Sequence, residues 1–577
     1  MPKYDGYTCE QLLEEIKKLE KQKKFGLVWE DKPEDVVEQC KTNFPVLQEI
    51  PERAIVASQY NILPQSATIP FETPKPVLTQ PTHLIIEGDN YHALSVLNVT
   101  HKGKIDVIYI DPPYNTGAKN WKYNNDYVDS EDRFRHSKWL SMMKKRLELA
   151  KNLLTENGVL ICAIDENEHA HLCVMLEEMF PCEVHTITIV HNPRGVQGKN
   201  FSYTHEYAVF VIPRGIKSIG NRKIEEKDIS WSNFRNWGSE SERSDAKNCF
   251  YPVIVENGEI IGFGNVCDDN FHPNQTEICD NQYFIYPIDN GEVERKWRYA
   301  RQSVDEIKHL LKAEKKRGQN NYEIKIGKDF GIYKTVWIDT RYDANEYGTK
   351  LINKLVPNND FPFPKSLYNV YDCIYAVVAN NKFATILDFF AGSGTTGHAV
   401  LELNKEDDGS RQFILCSNNE NGICEEVTYP RIKKVTEGYE DVMGIPANVR
   451  YFKTDFVHNR GLDDVSDEDR VNLTLKAGFM LAIKENIFEQ KEINEWWQIF
   501  ENEEKMLAIY FKESKAKINE LIEKIGSKKC VLYIFGWGKN EYVAEYGDNN
   551  IEVKDIPEPI LKIYKQINSI KNYKLSI

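Results

Sequence analysis

A carboxylate followed by two prolines and a tyrosine is the feature of this sequence best suited to chemistry. Asp111-Pro112-Pro113-Tyr114 comes directly after Ile105–Ile110, a run in which five of the six residues are apolar. Such a run predicts a strand buried on both faces. The prolines cannot continue the ladder, so carbonyl groups are left without strand partners. An acceptor-rich pocket beside an aromatic ring suits a planar base that carries an amine, and a loop with a solvated aspartate and a packed tyrosine fits the motif alone equally well.

A glycine-rich turn is the second candidate site. Asp388-Phe389-Phe390-Ala391-Gly392-Ser393-Gly394-Thr395 follows a short apolar run and precedes a helical pattern. Glycines let backbone N–H groups approach a ligand closely, and a helix N-terminus favours an anionic group. Glu420 follows the next predicted strand, at a position where an acid commonly bonds ribose hydroxyls. Because Gly392-x-Gly394-x-x-Gly397 also fits a dinucleotide fingerprint, a hydride-transfer enzyme stays open at this point.

The elements that must position these residues alternate between strand and helix. Apolar runs near residues 83–87, 105–110 and 159–163 are each followed by a helical pattern, and residues 184–190 and 206–212 predict a hairpin. The alternation stops near residue 215 and resumes near residue 341. This pattern predicts a parallel, doubly wound α/β sheet with an inserted module. The carboxyl edge of such a sheet is where open α/β folds bind their ligands.

Composition excludes several other classes of protein. The 577 residues are 41% hydrophobic, and the net charge of −15 argues against non-specific coating of nucleic acid, although a locally basic groove remains possible. The twelve cysteines contain no C-x-x-C pair, so we expect no disulfide framework and no metal site. No apolar stretch approaches the roughly 18 residues of a membrane span, and the start lacks the apolar run of a signal peptide. We therefore expect a cytoplasmic protein without a membrane partner.

The inserted module carries two clusters that combine positive charge with aromatic residues. Phosphate contacts and base stacking need this composition, whereas a solvated helix face explains each cluster taken separately. The candidate DNA-binding residues are Arg295, Lys296, Arg298, Arg301, Lys315, Lys316 and Arg317.

The two ends of the chain look like accessory pieces. Thr8-Cys9-Glu10-Gln11 forms a capping box that predicts a short amphipathic helix to about Lys24, and the proline-rich residues 50–81 predict an extended segment. Residues 456–577 are acidic and predict a small α/β piece without a catalytic cluster, for which docking or dimerisation is the expected role.

Taken together, these motifs resemble those of β-class adenine-specific DNA methyltransferases. Asp388 to Gly394 looks like the S-adenosylmethionine loop of that family, Asp111 to Tyr114 looks like its catalytic motif, and their order along the chain is the permuted one. Gly88-Asp89, Arg135 to Leu140, Thr204-His205-Glu206-Tyr207 and Cys424 to Ile432 are similar to the modification subunit of Type III restriction systems.

The resemblance implies a Rossmann-like S-adenosylmethionine-dependent methyltransferase fold with a seven-stranded mixed sheet. It divides the chain into an N-terminal region (1–80), a catalytic domain (81–215 and 341–455), a target-recognition domain (216–340) and a C-terminal domain (456–577). The implied activity is methyl transfer from S-adenosylmethionine to the N6 amine of a flipped-out adenine in double-stranded DNA. The implied partners are a second copy in a homodimer and an ATP-dependent restriction subunit. The ATP-dependent steps would need that subunit, because this sequence contains no G-x-x-x-x-G-K-[ST] loop.

The resemblance also assigns roles to individual residues. Asp111 and the Pro112 carbonyl would hold the two amine hydrogens, and Tyr114 would stack on the base. Asp89 would contact the adenine amine of the cofactor, and Glu420 its ribose, a role that Asn418 and Asn419 could also take. The residues that would hold the methionine moiety are Asp388, Phe389, Gly392, Gly394 and Thr395.

Five alternatives remain open. A dinucleotide oxidoreductase explains the glycines but not Asp-Pro-Pro-Tyr. A protein glutamine methyltransferase usually carries asparagine at the position of Asp111, and a cytosine-N4 enzyme usually carries serine. A catalytically silent DNA-binding module would need a broken motif, whereas every motif residue is present. An orphan adenine methyltransferase, without a restriction partner, fits the same residues.

Overall fold

The computed structural model describes most of the chain as two compact units. The main unit comprises residues 1–219 and 334–577, and the inserted unit comprises residues 220–333. The described residues are 8, 11–13, 32–57, 81–197, 200–224, 227, 229–316, 321–461, 464–538 and 542–569.

A ten-stranded sheet forms the centre of the main unit. Its central strands are buried on both faces, as in Leu84, Ile85 and Ile86, which explains why they are almost continuous apolar runs. The strands are β1 (Asn43–Glu49), β2 (Thr82–Glu87), β3 (Ile105–Ile110), β4 (Leu154–Ile164), β5 (Cys182–Val190), β6 (His205–Pro213), β7 (Val336–Ile338), β8 (Thr385–Asp388), β9 (Gln412–Ser417) and β10 (Asn448–His458).

The strand order across the sheet is β1-β10-β2-β9-β8-β3-β4-β6-β5-β7. Neighbours from β10 to β4 run parallel, and β6 runs antiparallel to both β4 and β5. The seven predicted strands lie side by side as β2-β9-β8-β3-β4-β6-β5, which confirms the α/β class and the mixed sheet in permuted order. The predicted hairpin is the β5–β6 pair.

Three strands extend this sheet beyond the seven that were predicted. β10 and β1 lie on one edge, where β1 pairs antiparallel with β10, and β7 pairs parallel with β5 on the other edge. The expectation of a purely helical and extended region over residues 1–80 is therefore corrected at Asn43–Glu49. Pro45 and the polar ends of this strand hide it in the sequence, and an edge strand tolerates a proline that a central strand does not.

Helices connect the strands of the main unit. The one that precedes β8 spans Leu367–Val378. The α-helices between β1 and β10 are Asn90–Thr100, Arg135–Lys151, His169–Met179, Leu351–Leu355, Leu367–Val378, Thr395–Asp407 and Tyr429–Glu437, and Asp35–Gln39 precedes β1.

The C-terminal part of the chain contains a five-stranded sheet that packs within the main unit. Side chains on one face, including Leu507 and Ile509, join the same hydrophobic core as the central sheet. The helices Gly478–Glu485 and Glu558–Ser569 both contact the helix Asn90–Thr100. The strands in sheet order are Gln490–Ile493, Trp497–Glu501, Lys505–Tyr510, Lys529–Phe535 and Ile551–Ile556, and the remaining helices are Asp467–Lys476, Ile518–Ile525 and Val543–Tyr546.

The inserted unit is built from short strands around its own core. Phe234 stacks on Trp297 with ring centroids 5.0 Å apart, and both side chains are buried. Its boundaries lie inside the 216–340 range expected for the target-recognition domain. Its sheets are Ser232–Asn233 with Tyr322–Ile326 and Leu311–Lys315; Glu259–Phe263 with Val253–Glu256, Gln282–Ile285 and Thr276–Cys279; and Asn221–Lys223 with Phe330–Ile332.

The N-terminal capping box is present in the described residues. The Thr8 hydroxyl accepts the Gln11 N–H at 3.3 Å, and the Gln11 side chain accepts the Thr8 N–H at 2.9 Å. Most of the helix predicted to continue to Lys24 lies outside the described residues. None of the helices in the described part of the chain has the length and apolar character that crossing a membrane requires.

Candidate active site

Four acidic residues follow four adjacent parallel strands of the central sheet. In order across the sheet, Asp89 follows β2, Glu420 follows β9, Asp388 ends β8 and Asp111 follows β3. Parallel strands bring their carboxyl ends to one edge, so residues distant in sequence meet there. Asp111 and Asp388 line one cleft, together with Lys365, Phe390, Gly392 and Thr395.

Asp111 lies beside a buried group of charges. The Lys365 ammonium is 3.4 Å from Asp111 Oδ1, pairs with Glu206, and donates a hydrogen bond to the Tyr114 hydroxyl. That hydroxyl in turn donates to Glu206 Oε2 at 3.1 Å, and the Asn369 amide donates to Glu206 Oε1 at 2.7 Å. Tyr114 and Asp111 of the motif therefore both interact with Lys365.

The environment of this group alters the pKa of each of its charges. Burial raises the pKa of Asp111 to about 6; Glu206 adds to this rise, and Lys365 opposes it. Burial also acts to raise the pKa of Glu206, but Lys365 outweighs it and the net pKa is lowered. For Lys365, the two carboxylates outweigh burial and raise its pKa. An ammonium between two carboxylates is the state that these shifts favour near neutral pH.

Sequence reasoning missed the roles of Lys365 and Glu206. Lys365 directly precedes the helix Leu367–Val378, and Glu206 belongs to β6, in the Thr204-His205-Glu206-Tyr207 segment. For Glu206, the available signal was a charged residue in an otherwise apolar strand, which needs a partner when it is buried.

The second part of the cleft is the turn between β8 and the helix Thr395–Asp407. Asp388 accepts the Phe390 N–H at 2.9 Å and the Thr396 hydroxyl at 2.6 Å, and burial raises its pKa to about 7. Gly392 and Gly394 have φ values of +48° and +77°, which favour glycine. A Cβ on Gly392 would also lie 3.0 Å from the Phe361 ring.

A buried arginine supports this turn through hydrogen bonds. The Arg431 guanidinium donates to the hydroxyls of Thr395 at 2.7 Å and Ser393 at 3.1 Å, and burial lowers its pKa to about 9. The Thr428 hydroxyl donates to the Gly392 carbonyl at 2.6 Å. Both residues belong to the Cys424 to Ile432 segment, so that segment braces the glycine turn.

The remaining predicted cofactor residues have different surroundings. Asp89 caps the helix Asn90–Thr100 by accepting the Tyr91 N–H at 2.7 Å, and its carboxylate lies 3.5 Å from the Arg146 guanidinium. Glu420 pairs with Lys122 at 2.6 Å. The structure places the Phe389 side chain in the hydrophobic core, whereas the Phe390 side chain lines the cleft.

Hydrogen bonds fix the loop that contains Asp111. The Trp139 indole N–H donates to the Pro113 carbonyl at 2.6 Å, so that carbonyl is engaged. Asn115, with φ +57°, donates to Glu168 and accepts the Trp121 indole N–H at 3.1 Å. These bonds hold the C-terminal half of the motif.

Glu168 belongs to a cluster with ligand-type atoms that sequence reasoning did not single out. His136 Nδ1 and His171 Nδ1 lie 2.6 Å and 2.7 Å from its two carboxylate oxygens, and the three ligand-type atoms are within 4.8 Å of one another. The density of histidine and acid over residues 165–171 was the signal. Each ring satisfies one oxygen of Glu168, so hydrogen bonding accounts for the arrangement.

The candidate DNA-binding residues of the inserted unit divide into two groups. Arg301 donates to the Gly264 carbonyl at 2.7 Å, and Arg295 pairs with Asp289 at 2.9 Å, so both guanidinium groups serve the fold of that unit. Arg298 and Lys315 are exposed, Lys296 is half-buried, and Lys316 donates to Gln275 at 3.2 Å. Arg317 lies outside the described residues.

Comparison with known proteins relates the whole site to one family. A family model described as DNA methylase, of the N6 and N4 type, matches residues 105–428, from the start of β3 to the residue before the helix Tyr429–Glu437. This range contains both halves of the cleft and the inserted unit.

Two curated relatives and one solved structure are similar to the chain. The EcoPI Mod subunit of a Type III restriction-modification enzyme from Escherichia phage P1 is 28% identical over 59% of this chain and 58% of its own length. The Type II methyltransferase M.KpnI from Klebsiella pneumoniae is 30% identical over 58% of this chain and 79% of its own length. The M1.HpyAVI–SAM complex is 14% identical, with a TM-score of 0.27, over 59% of this chain and 94% of that one. The match thus spans little more than half of the EcoPI subunit.

Proposed function

The chain belongs to the N6/N4 DNA methylase family, and on that premise we propose that it transfers a methyl group from S-adenosylmethionine to the N6 amine of adenine in double-stranded DNA. One observation carries the proposal: Asp111 and the Asp388 to Thr395 turn, far apart in sequence, line the same cleft. An amine acceptor on one wall and a glycine turn at a helix N-terminus on the other suit a base and a carboxylate-bearing cofactor.

The residues present suit the cofactor. The peptide groups around Gly392 and Gly394 and the N-terminus of the helix Thr395–Asp407 would hold the methionine part, together with Asp388. A side chain at Gly392 would narrow this cradle against Phe361. Glu420 would bind the ribose and Asp89 the adenine amine. Phe390, rather than the Phe389 of the sequence prediction, is the aromatic residue that would contact the ligand.

The chain's own groups would orient the acceptor amine. When bound, the cofactor supplies an electrophilic methyl group on a sulfonium. An adenine amine is a poor nucleophile because its lone pair is delocalised into the ring. Asp111 would accept one N–H and the Pro112 carbonyl the other, which draws the nitrogen towards a tetrahedral shape; Trp139 already engages the Pro113 carbonyl. Holding the two reactants in line can supply roughly 7 to 11 kcal/mol of barrier lowering.

Tyr114 would provide a face for the extruded base. Its hydroxyl is hydrogen-bonded to Lys365 and Glu206, and the Lys365 ammonium also lies 4.5 Å from the centroid of its ring, so these contacts hold the ring in one position. Enzymes that modify a base in duplex DNA extrude it and stack it on aromatic side chains. The proton released after transfer can leave to water, so Asp111 need not act as a strong base.

We propose further that the chain is the modification subunit of a Type III restriction system. The support is its likeness to the EcoPI, StyLTI and EcoP15I Mod subunits at 27% to 28% identity. The inserted unit would read the target sequence. A second copy of the chain would complete a homodimer, and an ATP-dependent restriction subunit would supply cleavage.

Product analysis tests the chemistry. Purified protein is incubated with S-adenosylmethionine labelled in the methyl group and unmethylated DNA, and the DNA is digested to nucleosides. Label should appear in N6-methyldeoxyadenosine. Label in N4-methyldeoxycytidine would reassign the acceptor, label in protein would indicate a glutamine methyltransferase, and binding of NAD in place of S-adenosylmethionine would indicate an oxidoreductase.

Single-molecule sequencing tests the biological setting. DNA from a host that expresses the chain is scored for modified adenines and for the strand that carries them. Modified adenines within one defined sequence are expected. Modified adenines scattered without a common sequence would contradict a site-specific enzyme.

A further inference from the structure

We propose that Lys365, held in a buried charge pair with Glu206, keeps the Asp111 carboxylate ionised, which makes Lys365 a positioning residue for methyl transfer and Glu206 the residue that holds it in place. The inference rests on the proposed function and adds two residues to its machinery. Lys365 comes from the segment before the helix Leu367–Val378, and Glu206 comes from β6. Two elements distant in sequence therefore bring opposite charges to the end of β3.

The pair is held in one arrangement by its neighbours. Both oxygens of Glu206 are bound, one by the Asn369 amide at 2.7 Å and the other by the Tyr114 hydroxyl at 3.1 Å. Lys365 pairs with Glu206 and lies 3.4 Å from Asp111 Oδ1. The side chains of Lys365 and Glu206 are only 12% and 5% exposed, so solvent screens these charges weakly.

A structural role alone does not account for this pair. Buried ion pairs contribute little net stability, because desolvation offsets the attraction between the charges. Here the ammonium separates two carboxylates that otherwise face each other in a poorly screened site. Without Lys365, repulsion would drive one of them to take up a proton. A protonated Asp111 loses acceptor capacity for the amine N–H.

Most other ionisable groups around the three charges are neutral near pH 7. Burial raises the pKa of the nearby tyrosines and thiols and lowers the pKa of the nearby histidine, so none of them adds a charge. These groups are Tyr109, Tyr114, Cys162, Cys373 and His191.

Two further carboxyl groups titrate in the same range. Burial raises the pKa of Asp388 to about 7, and its hydrogen bonds to Thr396 and Phe390 oppose this rise. Burial raises the pKa of Asp165 to about 6, with opposition from Asn167 and Lys365. A change at Glu206 therefore acts mainly on Asp111, whereas a change at Lys365 acts on Asp111 and Asp165.

The test compares pH profiles of variants with opposite charge changes. We measure kcat/KM for DNA at saturating S-adenosylmethionine between pH 5 and 9 for wild type, Lys365→Met, Glu206→Gln and the double variant. Lys365→Met should move the acid limb up by about one pH unit, and Glu206→Gln should move it down by about half a unit, because opposite and like charges at this range shift a carboxyl pKa by such amounts. The double variant should fall between the single ones.

Two controls separate this charge effect from a loss of packing. Lys365→Arg keeps the charge and should keep the midpoint of the limb. Lys554→Met removes a lysine that pairs with Glu485 at 3.1 Å in the C-terminal sheet, and it should leave the midpoint unchanged. If the acid-limb midpoints of Lys365→Met and Glu206→Gln coincide with that of wild type and only the maximal kcat/KM falls, the inference is overturned.

The remaining outcomes also decide. If Lys365→Met does not fold, Glu206→Gln carries the test alone: a downward shift supports the inference, and an unchanged or raised midpoint overturns it. Wild-type protein that methylates no adenine would refute the proposed function instead. If the wild-type protein methylates adenine but the acid limbs of the charge variants stay at the wild-type pH, only the charge-pair inference is refuted.

Discussion

Asp111 and Glu168 follow neighbouring parallel strands, β3 and β4, but the structure treats their carboxylates differently. Glu168 is fully buried and accepts hydrogen bonds from Asn115, His136 and His171. Asp111 is about one-quarter exposed, lines the cleft, and faces a single ammonium 3.4 Å away. Glu168, whose oxygens already accept three hydrogen bonds, is part of the scaffold. Asp111 can still accept a hydrogen bond from the cleft and is suited to bind a substrate.

Asn115 connects the two carboxylates. It directly follows the Asp111 to Tyr114 motif, adopts a positive φ, and ends in the hydrogen bond to Glu168. Glu168 therefore fixes, through Asn115, the backbone that orients Asp111. The comparison leads to a ranking of variants, because loss at Asp111 removes a contact to the reacting amine, whereas loss at Glu168 only loosens its support.

The largest effect is expected for Asp111→Asn. The amide keeps the shape of the side chain but replaces one acceptor oxygen with a donor that faces the amine. Transfer should fall by about a thousandfold, the scale seen when one polar contact to a transition state is removed. The binding of S-adenosylmethionine, measured by calorimetry, should hardly change.

The matched control for Asp111→Asn is Asp106→Asn, in the same strand. Asp106 accepts the Thr385 N–H at 2.8 Å and belongs to no part of the cleft. Its variant reports on damage to β3 alone. Equal loss of transfer and cofactor binding in Asp111→Asn would show that the aspartate has been assigned to the wrong role.

Much of the site was predictable because its chemistry is local in sequence. Asp111, Pro112 and Tyr114 are adjacent, and so are Asp388 to Thr395, so strand ends and glycines mark them. The partners were not predictable in this way. Lys365 lies 251 residues from Tyr114 and 159 from Glu206, and only the folded sheet brings the three together.

Glu168→Gln is expected to act on stability more than on chemistry. The new amide keeps only one acceptor oxygen, so it cannot accept from Asn115, His136 and His171 together as the carboxylate does. A broken buried contact to a charged group costs about 3 kcal/mol of unfolding free energy. Chemical denaturation measures this loss, and the variant should still bind S-adenosylmethionine.

The comparison for Glu168→Gln is Glu183→Gln, at the start of β5, where the side chain is about half exposed. Glu183 pairs there with His185 at 3.4 Å, and such an exposed pair contributes little to stability. The unfolding curve of Glu183→Gln should therefore overlay that of wild type. Should Glu168→Gln be as stable as wild type yet inactive, Glu168 would have a role in the reaction and the contrast with Asp111 would fail.

The pH dependence of transfer is the next effect in size. Asp111 must be ionised to accept the amine N–H, and burial places its pKa at about 6 instead of near the usual 3.8. The carboxylate is therefore lost as pH falls through about 6, and kcat/KM should drop tenfold for each further pH unit. Saturating S-adenosylmethionine removes the contribution of Asp388 to cofactor binding. An acid limb near pH 4 would mean that the Asp111 carboxyl titrates near its usual value and that burial does not raise its pKa.

The fold divides in the same way into predictable and unpredictable parts. Central strands such as β3 and β9 are almost continuous apolar runs because both faces are buried, and these were recognised. Edge strands such as β1 mix polar residues and a proline with apolar ones, so pattern alone did not reveal them. Phe389 and Phe390 are adjacent and alike, and only the backbone decides which one points to the core.

The smallest effect is expected for Trp139→Phe, which tests whether the scaffold also selects the carbonyl that binds the amine. Phenylalanine keeps most of the buried ring but removes the N–H that donates to Pro113 at 2.6 Å. A lost hydrogen bond of this kind costs about 1 kcal/mol, so kcat should fall about fivefold while KM for DNA changes little. Trp337→Phe removes a similar bond, 2.7 Å long to the Lys334 carbonyl, at the far edge of the sheet in β7, and it should leave kcat unchanged. Equal losses in the two variants would mean that indole hydrogen bonds support the sheet in general and that the Pro113 carbonyl needs no partner for Pro112 to act.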